Sequence, residues 1–466
     1  MDAPAAKPCQ NCIALGLRVA ALEAELAKAR KSSANSSKPP SSDIVKPPRP
    51  GSPKDKALRK REKRKRGAQP GHPRHERPPF APEEIDERVD YTLAACPDCG
   101  GRVTPLDSPA RVVQQVEIVA KPIHVSEHRS PACYCKRCQK TYHAEIPTAV
   151  RRAGLVGPRL TALVAFLKGG CHCSFTTIRK FLRDVVGVTI SRGQLRKVCA
   201  KASDSLALTY DELFAAVREQ AVLNVDETGH KEYAQRLWTW CFRAATFTLF
   251  KIDPSRSSQV LIDVLGEEFR GVLGCDYFSA YRKFMGDFGV PVQFCLAHLL
   301  RDVRFLIEHP DRRNHPYGQR LLAALRELFG VIHRRDELSA RRFAIGLQNA
   351  ADELLAQAVY HVPDTREGQN LAQRFHDHGE SYVRFLTTPD LEPTNNLAEQ
   401  AIRFVVIDRL VTQGSRSIAG RQWLERIWSV LATCAQRGQS AFAFLVDSVQ
   451  AYFHDQPGPS FLADTS

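Results

Sequence analysis

No stretch of this 466-residue chain supplies the ~18 apolar residues in a row that a membrane-crossing helix needs. Its longest apolar runs, such as Leu160 to Leu167, fall far short of that. The N-terminus, MDAPAAKPCQNC, lacks an apolar signal core. Neither export nor membrane insertion is therefore expected, and the expected place is cytoplasmic and nucleoid-associated, with no membrane partner. Internal repeats are absent as well. Acidic residues are the scarcer charge, 51 Asp and Glu against 66 Lys and Arg, for a net charge of +15. What is present is ordinary for a folded protein: 43% hydrophobic and 25% charged residues exclude wholesale disorder and a collagen-like fibre. The length suggests about three domains. Fourteen cysteines are expected reduced in the cytosol, where Cys-x-x-Cys spacing reads as metal before disulfide.

The positive charge is concentrated. Between Lys46 and Arg77 there are 13 basic and 3 acidic residues, so one segment holds most of the affinity for polyanions. Arg64, Lys65 and Arg66 lie at its centre. Contacts there would position a nucleic acid by its phosphates without reading bases; a solvated spacer has the same composition.

The pattern divides the chain into a multidomain arrangement. Residues 1–30 hold a short helix with Leu15, Val19, Leu22 and Leu26 on one seam, suited to a two-heptad coiled coil or to docking on its own protein. Residues 31–80 are rich in Ser, Pro and basic residues and read as a flexible linker. Residues 89–150 read as a small β domain, with Val112, Val116, Ile118, Ile123 and Val125 set between two cysteine pairs. Residues 158–218 read as helical. There Gly187 and Ser191 mark a turn and a cap between two helices, either a helix-turn-helix for DNA or part of a packed bundle. Arg192, Arg196 and Lys197 are its candidate DNA contacts. Residues 219–408 read as an α/β core, a mixed sheet flanked by helices with a helical insertion at about 310–388. Residues 409–466 form a helical tail.

Two constellations carry chemistry. Cys96-x-x-Cys99 and Cys135-x-x-Cys138 present four thiolates, the soft tetrahedral set that structural Zn²⁺ prefers. An intervening β-hairpin is expected to bring the pairs together, and Cys133 is a spare. The second constellation is three carboxylates. Asp226 is expected to follow a strand ending at Val225, and Asp276 a strand ending at Cys275. Ligands of open α/β sheets gather at such strand ends. Glu399 is expected on a helix capped by Thr394, opposite an apolar stripe of Leu397, Ala401 and Phe404, with Asn396 and Arg403 on its polar side. Singly, each carboxylate is more often structural than catalytic. Together, in a basic protein, they suit Mg²⁺ and metal-assisted phosphoryl transfer.

The segments VDETGH, GCDYFSAY and PTNNLAEQAIR occur in this order, after the SSANSSKPPSSD linker, the GAQPGHP run and the CPDCG element. In this the chain resembles the insertion-sequence-66 family of DDE transposases along nearly its whole length. The resemblance implies a ribonuclease-H-like core in which Asp226, Asp276 and Glu399 are the catalytic triad and bind Mg²⁺ or Mn²⁺. It implies cleavage at the inverted-repeat ends of a mobile element and transfer of the freed 3′ hydroxyl into target DNA. Double-stranded DNA, a homo-oligomeric synapse and accessory proteins of the element are the implied partners. Cys295 and His298 match a Cys-x-x-His of related enzymes, in which His298 would hold phosphate or order a carboxylate; a core pair at a strand–helix junction fits equally. The tail around Arg416, Arg421 and Arg426 departs from the commoner family ending. Two other readings share these residues: a regulator with a silent active site, and a structure-specific nuclease.

Overall fold

The computed structural model describes residues 79–90, 112–116 and 122–462 apart from 138, together with isolated positions between 16 and 119. The chain divides into two units, Pro47–Val125 and the remainder. The described positions 16–19, 21, 22 and 25 are helical, with Val19 and Leu22 of the expected seam exposed. Leu15, Leu26 and the basic run with Arg64, Lys65 and Arg66 lie outside the described residues.

In the smaller unit, the described residues hold one 3-10 turn, Pro82–Glu84. Gln114 clasps the backbone of Phe80, accepting from its N at 2.6 Å and donating to its O at 3.1 Å. The strands expected through Val112, Val116, Ile118, Ile123 and Val125 do not form among the described residues, whose backbone is irregular from 112 to 131. Alternation makes a strand only where another strand pairs with it and a core covers one face. Val112, Val116, Ile118 and Val125 are instead exposed.

A hairpin opens the described part of the larger unit: β1 (Ala132–Cys135) and β2 (Lys140–His143), antiparallel. Five helices follow, α1 (Thr148–Ala153), α2 (Pro158–Gly169), α3 (Phe175–Phe181), α4 (Arg192–Ser205) and α5 (Ala207–Ala216). Ser174 and Ser191 cap α3 and α4, accepting from the N–H groups of Thr177 at 3.0 Å and Gln194 at 3.1 Å. Gly187 turns the chain between them at φ 79°, where a side chain would be strained.

The sheet comprises β3 (Val222–Glu232), β4 (Gln235–Arg243), β5 (Thr248–Asp253), β6 (Val272–Cys275) and β7 (Val292–Phe294), in the order β5-β4-β3-β6-β7. The first three strands are antiparallel, whereas β6 and β7 run parallel to β3. Helices α6 (Gln259–Leu265) and α7 (Ser279–Phe288) carry the chain from β5 to β6 and from β6 to β7. This is the mixed, helix-flanked sheet that the order of apolar segments predicts. One strand differs: β3 does not stop at Val225 but continues through the polar VDETGH to Glu232. Several of its polar side chains find partners from distant segments. Arg409 donates to Thr228 Oγ1 at 3.2 Å, and Ser415 Oγ lies 3.1 Å from His230 and 2.8 Å from Glu232.

Helix α8 (Leu296–Ile307) leads into a helical block, α9 (Asn314–His333), α10 (Ala340–Val359), α11 (Arg366–His378) and α12 (Glu380–Val383). Leu321, Leu325 and Leu328 are buried along one face of α9. The chain then returns to the sheet as α13 (Asn396–Thr412) and finishes with α14 (Ile418–Gln436) and α15 (Ala441–Phe453). Helix α14 packs along β5. Glu425, Ser429 and Thr433 accept from the backbone N–H groups of Ile252, Phe250 and Thr248 at 2.8, 2.9 and 3.1 Å. Four residues of helix rise about 6 Å and two of strand about 6.6 Å, so every fourth side chain meets every second N–H.

The turn between α13 and α14 is fastened to the β3–β4 hairpin. Ser415 N donates to Lys231 O at 2.9 Å and Tyr233 N to Ser415 O at 3.3 Å. Gly414 has φ +80°, and a Cβ there would sit 2.0 Å from Lys231 O. Gly414→Ala is therefore expected to cost at least ~1–3 kcal/mol, from the left-handed backbone and the clash together. Urea unfolding reads this as a lower midpoint; an unchanged midpoint means the turn is not fastened in this way.

Candidate active site

Asn224 of β3 pairs with Gly274 of β6, so Asp226 and Asp276 each stand two residues beyond the last paired position of adjacent parallel strands. Both are half-buried. Asp226 lies within its strand, opposite Cys241 of β4; Asp276 lies beyond its strand end, as expected, and accepts from Phe278 N at 2.9 Å. Neighbours in a strand face opposite ways. Asp226 thus shares the side of Thr228, which meets Arg409 of α13, while Glu227 faces α7, whose Tyr281 hydroxyl donates to it at 2.5 Å.

Helix α13 delivers Glu399 in its first turn. Its seat is fixed by Asn395, which donates from Nδ2 to Val225 O at 2.8 Å and from its backbone N to Cys295 Sγ at 3.1 Å. Leu296 N adds a bond to Pro393 O at 3.0 Å. Two expectations fail here. The N-cap is Asn395, not Thr394, with no side-chain cap bond. The packed stripe is Ala398, Ile402, Val405 and Asp408, while Leu397 is exposed. The stripe is shifted by one residue because His172 gives the buried Asp408 a partner at 2.8 Å, so a carboxylate takes an inward position. Glu399 then sits on the flank of the buried face rather than opposite it. Asn396 and Arg403 are exposed on α13.

Electrostatics ties the acids together. Burial first, then the charges of Glu227, Asp276 and Glu399, hold the Asp226 carboxyl well above its ordinary range. Burial also raises Asp276, against the opposing pull of the Phe278 N–H and Arg256. Glu227 is pushed up to about 7 by burial and Asp276, although Arg256 and Tyr281 stabilise its charge. The Arg256 guanidinium donates twice to Glu227 Oε1, at 3.0 and 2.6 Å, and lies over the rings of Trp238 and Phe278 at 4.4 and 4.0 Å. On α8, Arg301 stands 3.4 Å from Glu399, and His298 Nδ1 is also 3.4 Å from it. Burial and Arg301 lower His298 to about 3, and burial raises the Cys295 thiol to about 11, so both are neutral at pH 7.

Among the described residues, the ligand-type atoms that fall within 4.8 Å of one another are those of Cys295, His298 and Glu399. Asp226 and Asp276 are not part of that group, but the charge of Glu399 reaches both and helps raise them. Carboxylate oxygens are the hard donors that a divalent cation takes.

Glu227, Arg256, Arg301 and Asn395 were not singled out from the sequence. Arg301 had a signal, since it lies one helical turn after His298. Arg256 had none, because its Ser-rich loop closes on the site only in three dimensions. Arg192, Arg196 and Lys197 are exposed on α4, away from the sheet's acids in sequence and on a different element. Cys99 and Cys133 are exposed thiols; Cys96 and Cys138 lie outside the described residues, and Cys135 ends β1.

The carboxylates stand on a helix-flanked α/β sheet, and comparison with known proteins gives the class, a nucleic-acid-processing enzyme. The model of the transposase IS66 family matches residues 153–422, more than half of the chain and all three carboxylates. The chain belongs to the IS66 family of transposases, which implies interaction with DNA. Residues 15–78 match a family of unknown function, DUF6444. Two relatives come from Sinorhizobium fredii (strain NBRC 101917 / NGR234). The uncharacterized protein y4hP is 24% identical over 415 residues, covering 81% of this chain and 74% of its own. The uncharacterized protein y4jD is 22% identical over 403 residues, covering 80% and 78%.

Proposed function

We propose that this chain cleaves DNA at the inverted-repeat ends of an insertion sequence and transfers the freed 3′ hydroxyl to target DNA, using a ribonuclease-H-like core. What supports the reading is that Asp226 and Asp276 stand at matching positions of adjacent parallel strands and that both feel the charge of Glu399 on the returning helix. Asp226, Asp276 and Glu399 are the proposed holders of Mg²⁺ or Mn²⁺. Bound there, the ion supplies Lewis-acid stabilisation of charge developing on phosphate oxygens. Arg301 and His298 orient the Glu399 carboxylate. Arg256, braced by Glu227 and two rings, offers its remaining N–H groups to a phosphate. Structural Zn²⁺ at Cys96, Cys99, Cys135 and Cys138, DNA contacts from Arg64, Lys65 and Arg66, and a homo-oligomeric synapse belong to the same proposal.

The experiment is a Mg²⁺-dependent assay on labelled DNA bearing the element's own ends, with the element's accessory proteins supplied. Nicking at the ends and joining of 3′ hydroxyls to target are expected. Binding without cleavage favours a regulator, and cleavage without joining a nuclease.

A further inference from the structure

A second site lies at the far end of α13. A cavity of about 590 Å³ opens between α2, α3 and α4 on one side and the α13–α14 turn on the other. Four cations line it, Lys168, Arg196, Arg416 and Arg426, against one lining carboxylate, Asp204. Arg426 is engaged with Ser203 O at 3.1 Å and Asp204 at 3.8 Å; Arg196 and Arg416 are exposed and have no ion pair among the described residues. The remaining wall is largely apolar, including Phe175 and Trp423. Trp423 is only 8% exposed, yet its Nε1–H has no hydrogen-bond partner among the described residues. The wall is built rather than loose, because the turn is fastened to Lys231 and Tyr233 by the bonds described above.

Cations and aromatic surface in one concave site fit a phosphate joined to an aromatic base. We infer that the cavity binds one nucleotide of a DNA strand, its phosphate held by Arg196 and Arg416 and its base against the aromatic wall. Its place on the molecule supports a strand. Asp226 on β3 and cavity-lining Tyr233, in the turn just after it, are seven residues apart, and Glu399 and cavity-lining Thr412 are thirteen apart on α13. Strand and helix rises each make this about 20 Å. A DNA strand advances about 3.4 Å per nucleotide, so the cavity engages a nucleotide roughly six positions from the one at the carboxylates. This spacing rests on the carboxylates being the cleavage site; the binding itself does not.

The test uses the full chain in EDTA, with a random-sequence 20-nucleotide single strand, the matching duplex, and a deoxynucleoside monophosphate as probes. Trp fluorescence and the salt dependence of affinity are measured for wild type, Arg196→Glu/Arg416→Glu and Trp423→Phe. For the strand probes, the double variant is expected to lose about 2 from the slope of log affinity against log salt, and at least ~10-fold in affinity at 150 mM salt. Trp423→Phe is expected to abolish the fluorescence change while keeping the wild-type slope. An unchanged slope in a double variant that melts like wild type overturns the site. Saturation by the monophosphate alone, with no response to either strand, overturns the strand assignment. Plasmid nicking by wild type in Mg²⁺, run alongside, separates the two proposals: without nicking, a surviving cavity signal leaves the carboxylate reading to fall alone.

Discussion

Asp226→Asn is expected to lose DNA cleavage by at least ~10³-fold while the metal-free protein becomes harder to melt. The two effects share one cause. Burial and three neighbouring carboxylates raise the Asp226 carboxyl above its ordinary range, so keeping it ionised in the folded state costs free energy that the unfolded chain does not bear. The amide keeps the shape and removes the charge. Loss of a residue that acts in a catalytic unit commonly costs 10⁴-fold or more, so 10³ is a lower bound.

The sign follows from linkage. A carboxyl with a raised folded-state pKa is more protonated folded than unfolded. Its destabilising contribution is absent below the ordinary carboxylate range and grows as pH rises through the folded-state value. In EDTA, the variant's advantage in Tm is therefore expected at pH 7–8 and to vanish near pH 4, at roughly 2–4 °C per kcal/mol relieved. Mg²⁺ should raise the Tm of wild type and leave that of Asp226→Asn nearly unmoved, because binding to the native state alone stabilises it. Asp276→Asn and Glu399→Gln serve as companions in the cleavage assay. A variant that cleaves at the wild-type rate removes its residue from the catalytic unit, whatever its Tm.

The sequence carried the sheet and the placement of Asp276 and Glu399 because each rests on local chemistry: apolar runs, a strand-end carboxylate, and a helix opening after Pro393. It misled where partners distant in the chain decide. β3 continues past Val225 because β4 pairs with it as far as Glu232, while Arg409 and Ser415, about 180 residues later, meet Thr228, His230 and Glu232. The stripe of α13 is displaced by a histidine 236 residues away, since His172 makes an inward Asp408 tolerable. In the opposite sense, residues 112–125 alternate like a strand, yet no strand forms among the described ones. Periodicity reports what a segment would suit, and burial depends on what arrives to cover it. The braces of the site, Glu227 with Arg256 and Asn395 with Val225 and Cys295, were illegible for the same reason.

The largest stability effect is expected where α14 closes the edge of the sheet. β5 is the last strand of its side, and its outward N–H groups at 248, 250 and 252 would otherwise face the helix unpaired. Thr433, Ser429 and Glu425 are themselves buried, and the Glu425 charge is also met by Lys251 at 3.3 Å. Ser429→Ala should cost ~1–3 kcal/mol, the penalty of one buried donor left without an acceptor. Glu425→Ala should cost more, since it also leaves a lysine beside an emptied site and opens a cavity. These neighbours share one strand and one helix face, so their effects will not add simply; a Glu425→Ala/Thr433→Ala pair separates the ends of the ladder. Glu425→Gln keeps an acceptor oxygen and should recover much of the loss, which distinguishes hydrogen bonding from charge. Chemical unfolding measures the losses, and light scattering during refolding should show association through the uncovered edge. If Ser429→Ala unfolds with the wild-type midpoint, the ladder is a coincidence of packing and β5 is protected by apolar cover alone.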